Sequence, residues 1–112
     1  MTMQHDVAAI ALKLEHLEQE LKALELWGGA KQVPSDEQLS SIQPFCLDTL
    51  EFHQWLEYIL IERLRELIAS QQALPRAMMV HTYAQEQYRG QWGKYRKLIG
   101  LLQELDALIT LQ

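Results

Sequence analysis

The sequence predicts an all-α protein, a single four-helix bundle, and three observations predict it. Twenty leucines stand against three valines, which favours helix because unbranched side chains lose little rotamer freedom there. Alternation of apolar and polar residues, the mark of a half-buried strand, is nowhere sustained. Four stretches instead repeat apolar residues at steps of three and four, and amphipathic helices of that kind bury their stripes against one another. At 112 residues one domain over residues 1–112 is expected, burying roughly 65% of the surface of the unfolded chain. No internal repeat accompanies the pattern.

The first helix is predicted over about residues 6–27, where Val7, Ile10, Leu14, Leu17, Leu21 and Leu24 form one stripe. Gly28 and Gly29 end it, Gly28 by taking the left-handed conformation that follows many helix C-termini. A long connector comes next, polar and punctuated by proline, with a short helical turn in it: Ser35 and Gln38 bracket a capping box leading to Leu39. Connectors of this length tend to be functional or packed as a lid. Asp48 and Glu51 form a second capping box opening a helix over about residues 49–70, with Phe52, Trp55, Leu56, Ile59, Leu60, Leu64 and Leu67 inside. Leu74 and Pro75 turn the chain. Ala77, Val80, Ala84 and Tyr88 then share one face of a shorter helix over about 76–89, and Gly90 and Gly93 interrupt. Tyr95, Leu98, Ile99, Leu102, Leu105 and Ile109 line the last helix, over about 92–110.

Charge and cysteine usage narrow the function classes. A net charge of −5 has the wrong sign for a domain that grips nucleic acid unaided. The charge is uneven: residues 76–97 hold five bases and one acid, a local +4 against −9 for the rest, so an acidic partner meets that stretch first. The single cysteine, Cys46, closes no intrachain disulfide, and a reducing compartment is the default. The longest N-terminal apolar run, Val7 to Leu12, is too short to span a bilayer. A soluble cytoplasmic protein without membrane contact is expected.

Four groups of residues are candidates for chemistry. Arg63 falls between Leu56 and Ile59 on a helical wheel, in the middle of an apolar face, and Asp106 lies near Tyr95 and Ile99 on the last helix. A buried Arg63–Asp106 ion pair, or an anion site at Arg63, follows, with Glu66 as a competing partner and a snorkelling arginine as the plain alternative. Cys46 precedes a capped helix, where aligned peptide dipoles lower a thiol pKa, but its apolar neighbours Phe45 and Leu47 suit an inert thiol better. His16/Glu20 and His53/Glu57 each share a helix face, yet neither the Glu-x-x-His motif of di-iron bundles nor His-Glu-x-x-His is present. No metal or cofactor is therefore expected, and the histidines are read as solvated. The run from Tyr88 to Lys97 interleaves three aromatics with four bases, the mixture that holds single-stranded RNA. Periodicity sends Tyr88 and Tyr95 inward and leaves Trp92 free to stack, so docking on an acidic protein surface outranks direct RNA contact.

The string Gln43-Pro44-Phe45, then Asp48-Thr49 and Trp55-Leu56, resembles the YqcC-like family of small bacterial proteins, with support from Leu26-Trp27, Leu74-Pro75 and Leu105-Asp106-Ala107-Leu108. The resemblance covers most of the chain. Two residues depart from the family pattern: Glu57, where glutamine is usual, and Glu62, where proline is usual just before the matching Arg63. The resemblance implies an all-helical bundle without established activity, labelled after tRNA pseudouridine synthase C because the genes lie together in some bacteria. A synthase keeps its catalytic aspartate in a large mixed α/β domain, which a leucine-rich chain of this length cannot build.

The sequence therefore reads as a non-enzymatic interaction protein, accessory to an RNA-modifying enzyme such as a tRNA pseudouridine synthase. Its contact surface is formed by Pro44, Phe45, Arg89, Trp92, Lys94 and Lys97. The competing reading is a small-ligand binder with a pocket near Arg63 and Trp55, the arginine meeting a carboxylate or phosphate. Self-association through the heptad-like first helix is compatible with either.

Overall fold

The computed structural model describes residues 5–29, 33–39 and 50–110, the side chains of Asp36 and Gln38 excepted, and all regular structure among them is helical. Helix α1 spans Val7–Ala23, α2 Asp36–Leu39, α3 Phe52–Trp55, α4 Glu62–Ala69, α5 Val80–Gln87 and α6 Trp92–Ile109. The chain does not leave the helix between α3 and α4, because Leu56–Ile61 is a π-helical segment. Residues 52–69 thus form one unbroken central helix. Pro44, Phe45, Cys46 and Asp48 lie outside the described residues.

The Asp6 carboxylate starts α1 by accepting from the Ala9 N–H at 3.1 Å, satisfying one of the donors that every helix N-terminus leaves open. Ile10, Leu14, Leu17 and Leu21 are buried, whereas Val7 is exposed. The helix ends before its expected glycine. Glu25, at φ 62°, takes the left-handed position; its N–H reaches the Lys22 carbonyl at 3.0 Å and the Leu26 N–H reaches Leu21 at 2.8 Å. This pair of bonds is the Schellman closure, and it frees Gly28 and Gly29 for another use. The central helix closes the same way, with Gln71 at φ 57° and the Gln72 N–H on the Leu67 carbonyl at 2.9 Å.

The central helix is capped by Glu51 with Gln54, whose Oε1 accepts the Glu51 N–H at 2.8 Å, while the expected box from Asp48 involves a residue outside those described. Its π segment decides which residues face inward. A π turn inserts one residue into the α-helical ladder, which rotates everything after it by about 100° relative to a uniform wheel. The inward face is accordingly Phe52, Leu56, Leu60, Ile61, Leu64 and Leu67, while Ile59 is half-buried and Arg63 is exposed. The expected burial of Arg63 fails for this reason.

Helix α6 runs alongside α1, α4 packs on α1 and α5 packs on α6. Leu98, Leu102, Leu105 and Ile109 of α6 are fully buried against the α1 stripe. Salt bridges tie the seams: Lys13 to Glu104 between α1 and α6, and Arg65 to Glu18 between α4 and α1 at 2.7 Å. The third helix is shorter than expected, since residues 76–79 are not helical and Ala77 is exposed. No helix among the described residues is long and apolar enough to cross a membrane.

Candidate interaction surface

The α5–α6 turn builds this surface. Gly90 takes φ 86° and the Gln91 N–H bonds the Tyr88 carbonyl at 2.8 Å, so α6 starts at Trp92 immediately beyond the end of α5. The last carbonyls of a helix lack intrahelical partners. One of them, on Gln85, accepts the Trp92 indole N–H at 2.8 Å, which fixes the ring while leaving the residue 55% exposed. Beneath the turn, Tyr88 and Tyr95 stack at 3.8 Å between centroids with 12° between planes. Burial, reinforced by the neighbouring Tyr95, pushes the Tyr88 hydroxyl well above the ordinary tyrosine range.

A groove of about 500 Å³ opens beside Trp92, lined by Gln85, Gly93, Arg96 and Ile99 as well as the indole. A second shallow groove continues along α6 past Lys94, Arg96, Lys97 and Gly100 to Glu104. The structure therefore brings Trp92, Lys94 and Lys97 to one end of α6, with Arg89 in the turn before it. Arg89 meets Glu86 at 3.1 Å and Lys97 stands 4.0 Å from Glu20, whereas Lys94 lies over the Tyr95 ring at 5.3 Å. Arg96, which lines both grooves, is the member that the sequence reading left out. Its signal was the four-residue step from Trp92, which puts the two on one helix face.

The expected Arg63–Asp106 pair does not form. Asp106 is buried, but its Oδ2 accepts from the His81 N–H at 2.8 Å and lies 2.6 Å from His81 Nδ1. Since Met79 supplies no side-chain cap to α5, Asp106 does so from the neighbouring helix. Thr110 adds a second tie, accepting from the Met78 N–H at 3.1 Å. His81 is thus a structural partner, not a solvated histidine. Arg63 borders a shallow groove that also carries Glu62 and Glu66, two carboxylates that oppose an incoming anion. Trp55 is absent from that groove's lining; its ring stacks on Phe52 at 6.1 Å instead.

Sequence reasoning named Glu57 only as a helix-face neighbour of His53 and a departure from the family pattern, and missed its role. It is buried, and its two carboxylate oxygens accept the N–H groups of Gly28 and Gly29, each at 2.7 Å. The adjacent Tyr58 hydroxyl donates to the Gly29 carbonyl at 2.7 Å, and burial followed by the Glu57 charge raises that hydroxyl's pKa. Successive backbone N–H groups make a concave anion cradle, filled here by the protein's own carboxylate. Gly29, at φ 67°, supplies the left-handed conformation this approach needs. The adjacent glycines and an acid beside Leu56 were the available signal.

A family model described as tRNA pseudouridine synthase C matches residues 9–108. The uncharacterized protein YqcC of Escherichia coli (strain K12) is 32% identical over 101 residues, 90% of this chain and 91% of that one. The chain belongs to the YqcC-like family. An uncharacterized protein of Haemophilus influenzae is also 32% identical over 95 residues, spanning 85% of this YqcC-like chain and 84% of its own. The solution NMR structure of YqcC from E. coli superposes with a TM-score of 0.81 at 29% identity, covering 97% of this chain and 95% of that one. A protein named tRNA pseudouridine synthase C from Pectobacterium carotovorum is 30% identical over 64 residues, which are 57% of this YqcC-like chain but 17% of that protein. That likeness is to a stretch of the protein, not to a whole synthase.

Proposed function

We propose that this chain is a non-catalytic cytoplasmic interaction protein, a four-helix bundle accessory to an RNA-modifying enzyme of the tRNA pseudouridine synthase kind. The observation that carries the reading is Trp92, a large aromatic held rigid and exposed amid cations. Rigid, exposed aromatics beside arginine are the usual anchors of protein interfaces, and a fixed ring loses little conformational entropy on binding. The Pectobacterium relative supports the choice of partner: a segment like this chain is a minor part of a protein bearing the synthase name. Tethering in one polypeptide raises the effective concentration of two parts that work together. The His81–Asp106 pair, which resembles part of a catalytic constellation, is occupied in holding α5.

Calorimetric titration with the purified tRNA pseudouridine synthase C of the same bacterium tests the reading. Saturable binding is expected, weakened about tenfold or more by Trp92→Ala, the loss typical of an interface anchor. A wild-type chain that gives no binding heat and no co-migration with the synthase overturns it.

A further inference from the structure

We propose that the groove beside Trp92 takes an acidic, amphipathic helical segment of the partner, with an apolar side chain seated against Trp92 and Ile99 and carboxylates meeting Arg96 and Lys94. The inference rests on the interaction reading above and names the chemistry of the occupant. Three features of the site select it.

The first is the mix of lining groups. Trp92 and Ile99 make the groove predominantly apolar, so an occupant that offered charge alone would leave that surface wet. The indole N–H is already committed to the Gln85 carbonyl, so Trp92 presents a ring face and no donor. That suits an aliphatic or aromatic side chain.

The second is charge. Arg96 lines both this groove and its continuation along α6, and its planar fork of donors matches a carboxylate. Lys94 flanks it, while Lys97 stands 4.0 Å from Glu20 and Glu104 lies at the far end of the continuation, so Arg96 and Lys94 carry the positive charge at the groove. An acidic segment is complementary, and a basic one is repelled. Single-stranded RNA is favoured less, because it is held on successive stacking platforms and the surface offers one: Tyr95 is buried and Tyr88 stacks on it.

The third is room for a backbone. A Cβ added at Gly93 or Gly100 would meet nothing within 4 Å, so no close approach within the chain requires glycine at either position, although glycine weakens a helix. Both lie along the grooves at the cationic end of α6, where a bare helix surface lets a second helix approach closely. The same fact supplies a probe: the Cβ of Gly93→Leu enters open space at a position that lines the groove.

The test uses a labelled amphipathic peptide with two leucines one helical turn apart and glutamates elsewhere, titrated into the full chain by fluorescence anisotropy. Binding is expected to fall about tenfold or more, one anchor's worth, with each of Trp92→Ala, Gly93→Leu and Arg96→Glu, and with alanine in place of the peptide leucines. Circular dichroism melts confirm that the variants fold; Gly93→Leu is expected to melt no lower than wild type. Absence of peptide binding, binding indifferent to Gly93→Leu, or tighter binding of oligouridylate at the same residues overturns the proposal. Synthase binding that survives Gly93→Leu also overturns this groove while leaving the accessory reading intact. A synthase that fails to bind a peptide-competent wild-type chain does the reverse.

Discussion

Helix α6 and the central helix are each eighteen residues long, and they obey different rules. In α6 the apolar residues follow α-helical spacing throughout, and the side chains assigned inward by that spacing are buried, Asp106 included. In the central helix the π segment shifts the register midway, so Arg63 and Ile59 lose the inward positions that uniform spacing gives them. Apolar periodicity reports burial only while the hydrogen-bond ladder keeps its step. The candidate residues divide accordingly. The Trp92–Arg96 face sits on the regular helix and was largely legible, whereas the Glu57 cradle sits in the π segment and was not.

The largest expected effect sharpens this contrast directly. Ile61→Ala should cost about 2 to 5 kcal/mol in denaturant unfolding, because it empties a fully buried site, while Arg63→Ala should stay within about 0.5 kcal/mol, as for an ordinary surface residue. Ile59→Ala falls between them. Equal losses at Ile61 and Arg63 would contradict the π register.

Glu57 comes next. Glu57→Leu should cost about 3 kcal/mol by leaving the Gly28 and Gly29 N–H groups without their acceptors, and Glu57→Gln about 1.5 to 3 kcal/mol by turning one charge-assisted bond into a clash of donors. Hydrogen exchange at Gly28 and Gly29 reads the same event locally. Unchanged protection of both amides in Glu57→Leu would dissolve the cradle.

A smaller effect separates the two partners considered for Asp106. His81→Ala and Asp106→Ala should couple by about 0.5 to 3 kcal/mol in a double-mutant cycle, whereas Arg63→Met and Asp106→Leu should add within about 0.5 kcal/mol. Coupling in the second cycle and additivity in the first would restore the ion pair.

The weakest effect is one of pH. The hydrogen bond from Lys22, followed by that from Arg65, holds the Glu18 carboxyl below the ordinary glutamate range against a partial opposing effect of burial. A depressed folded-state pKa contributes stability that is complete above the unfolded value of about 4.3 and is lost as pH falls through the folded value. Glu18→Gln should therefore lower stability modestly at neutral pH, leave the acid end of the profile little changed, and so flatten the acid limb. An acid limb identical in the two proteins would remove the contribution.

Much of this molecule was legible in its sequence because leucine spacing, proline and glycine act locally. The all-helical class, the α1 stripe from Ile10 to Leu21 and the inward face of α6 follow from spacing alone. Trp92 was legible as the aromatic that periodicity leaves outside. Three features were not: one uses a residue type that gives no local signal, and the others involve contacts distant in sequence. The Schellman closure at Glu25 uses a residue with no special tolerance for positive φ, so nothing local announces it. Asp106 caps a helix twenty-five residues away. The π segment has no compositional mark, and the Glu57 it carries takes its two backbone donors from Gly28 and Gly29, far away in sequence.

The most direct test of the central claim is a nuclear magnetic resonance map of the labelled chain titrated with the synthase. The Trp92 indole N–H gives its own signal, separate from those of Trp27 and Trp55, and reports on the surface without any substitution. Shifts are expected at that indole and at the amides of Gln85, Gly93 and Arg96, with the central helix around Arg63 unmoved. A map centred on Tyr58, Arg63 and Glu66, with the Trp92 indole unchanged, would contradict the account.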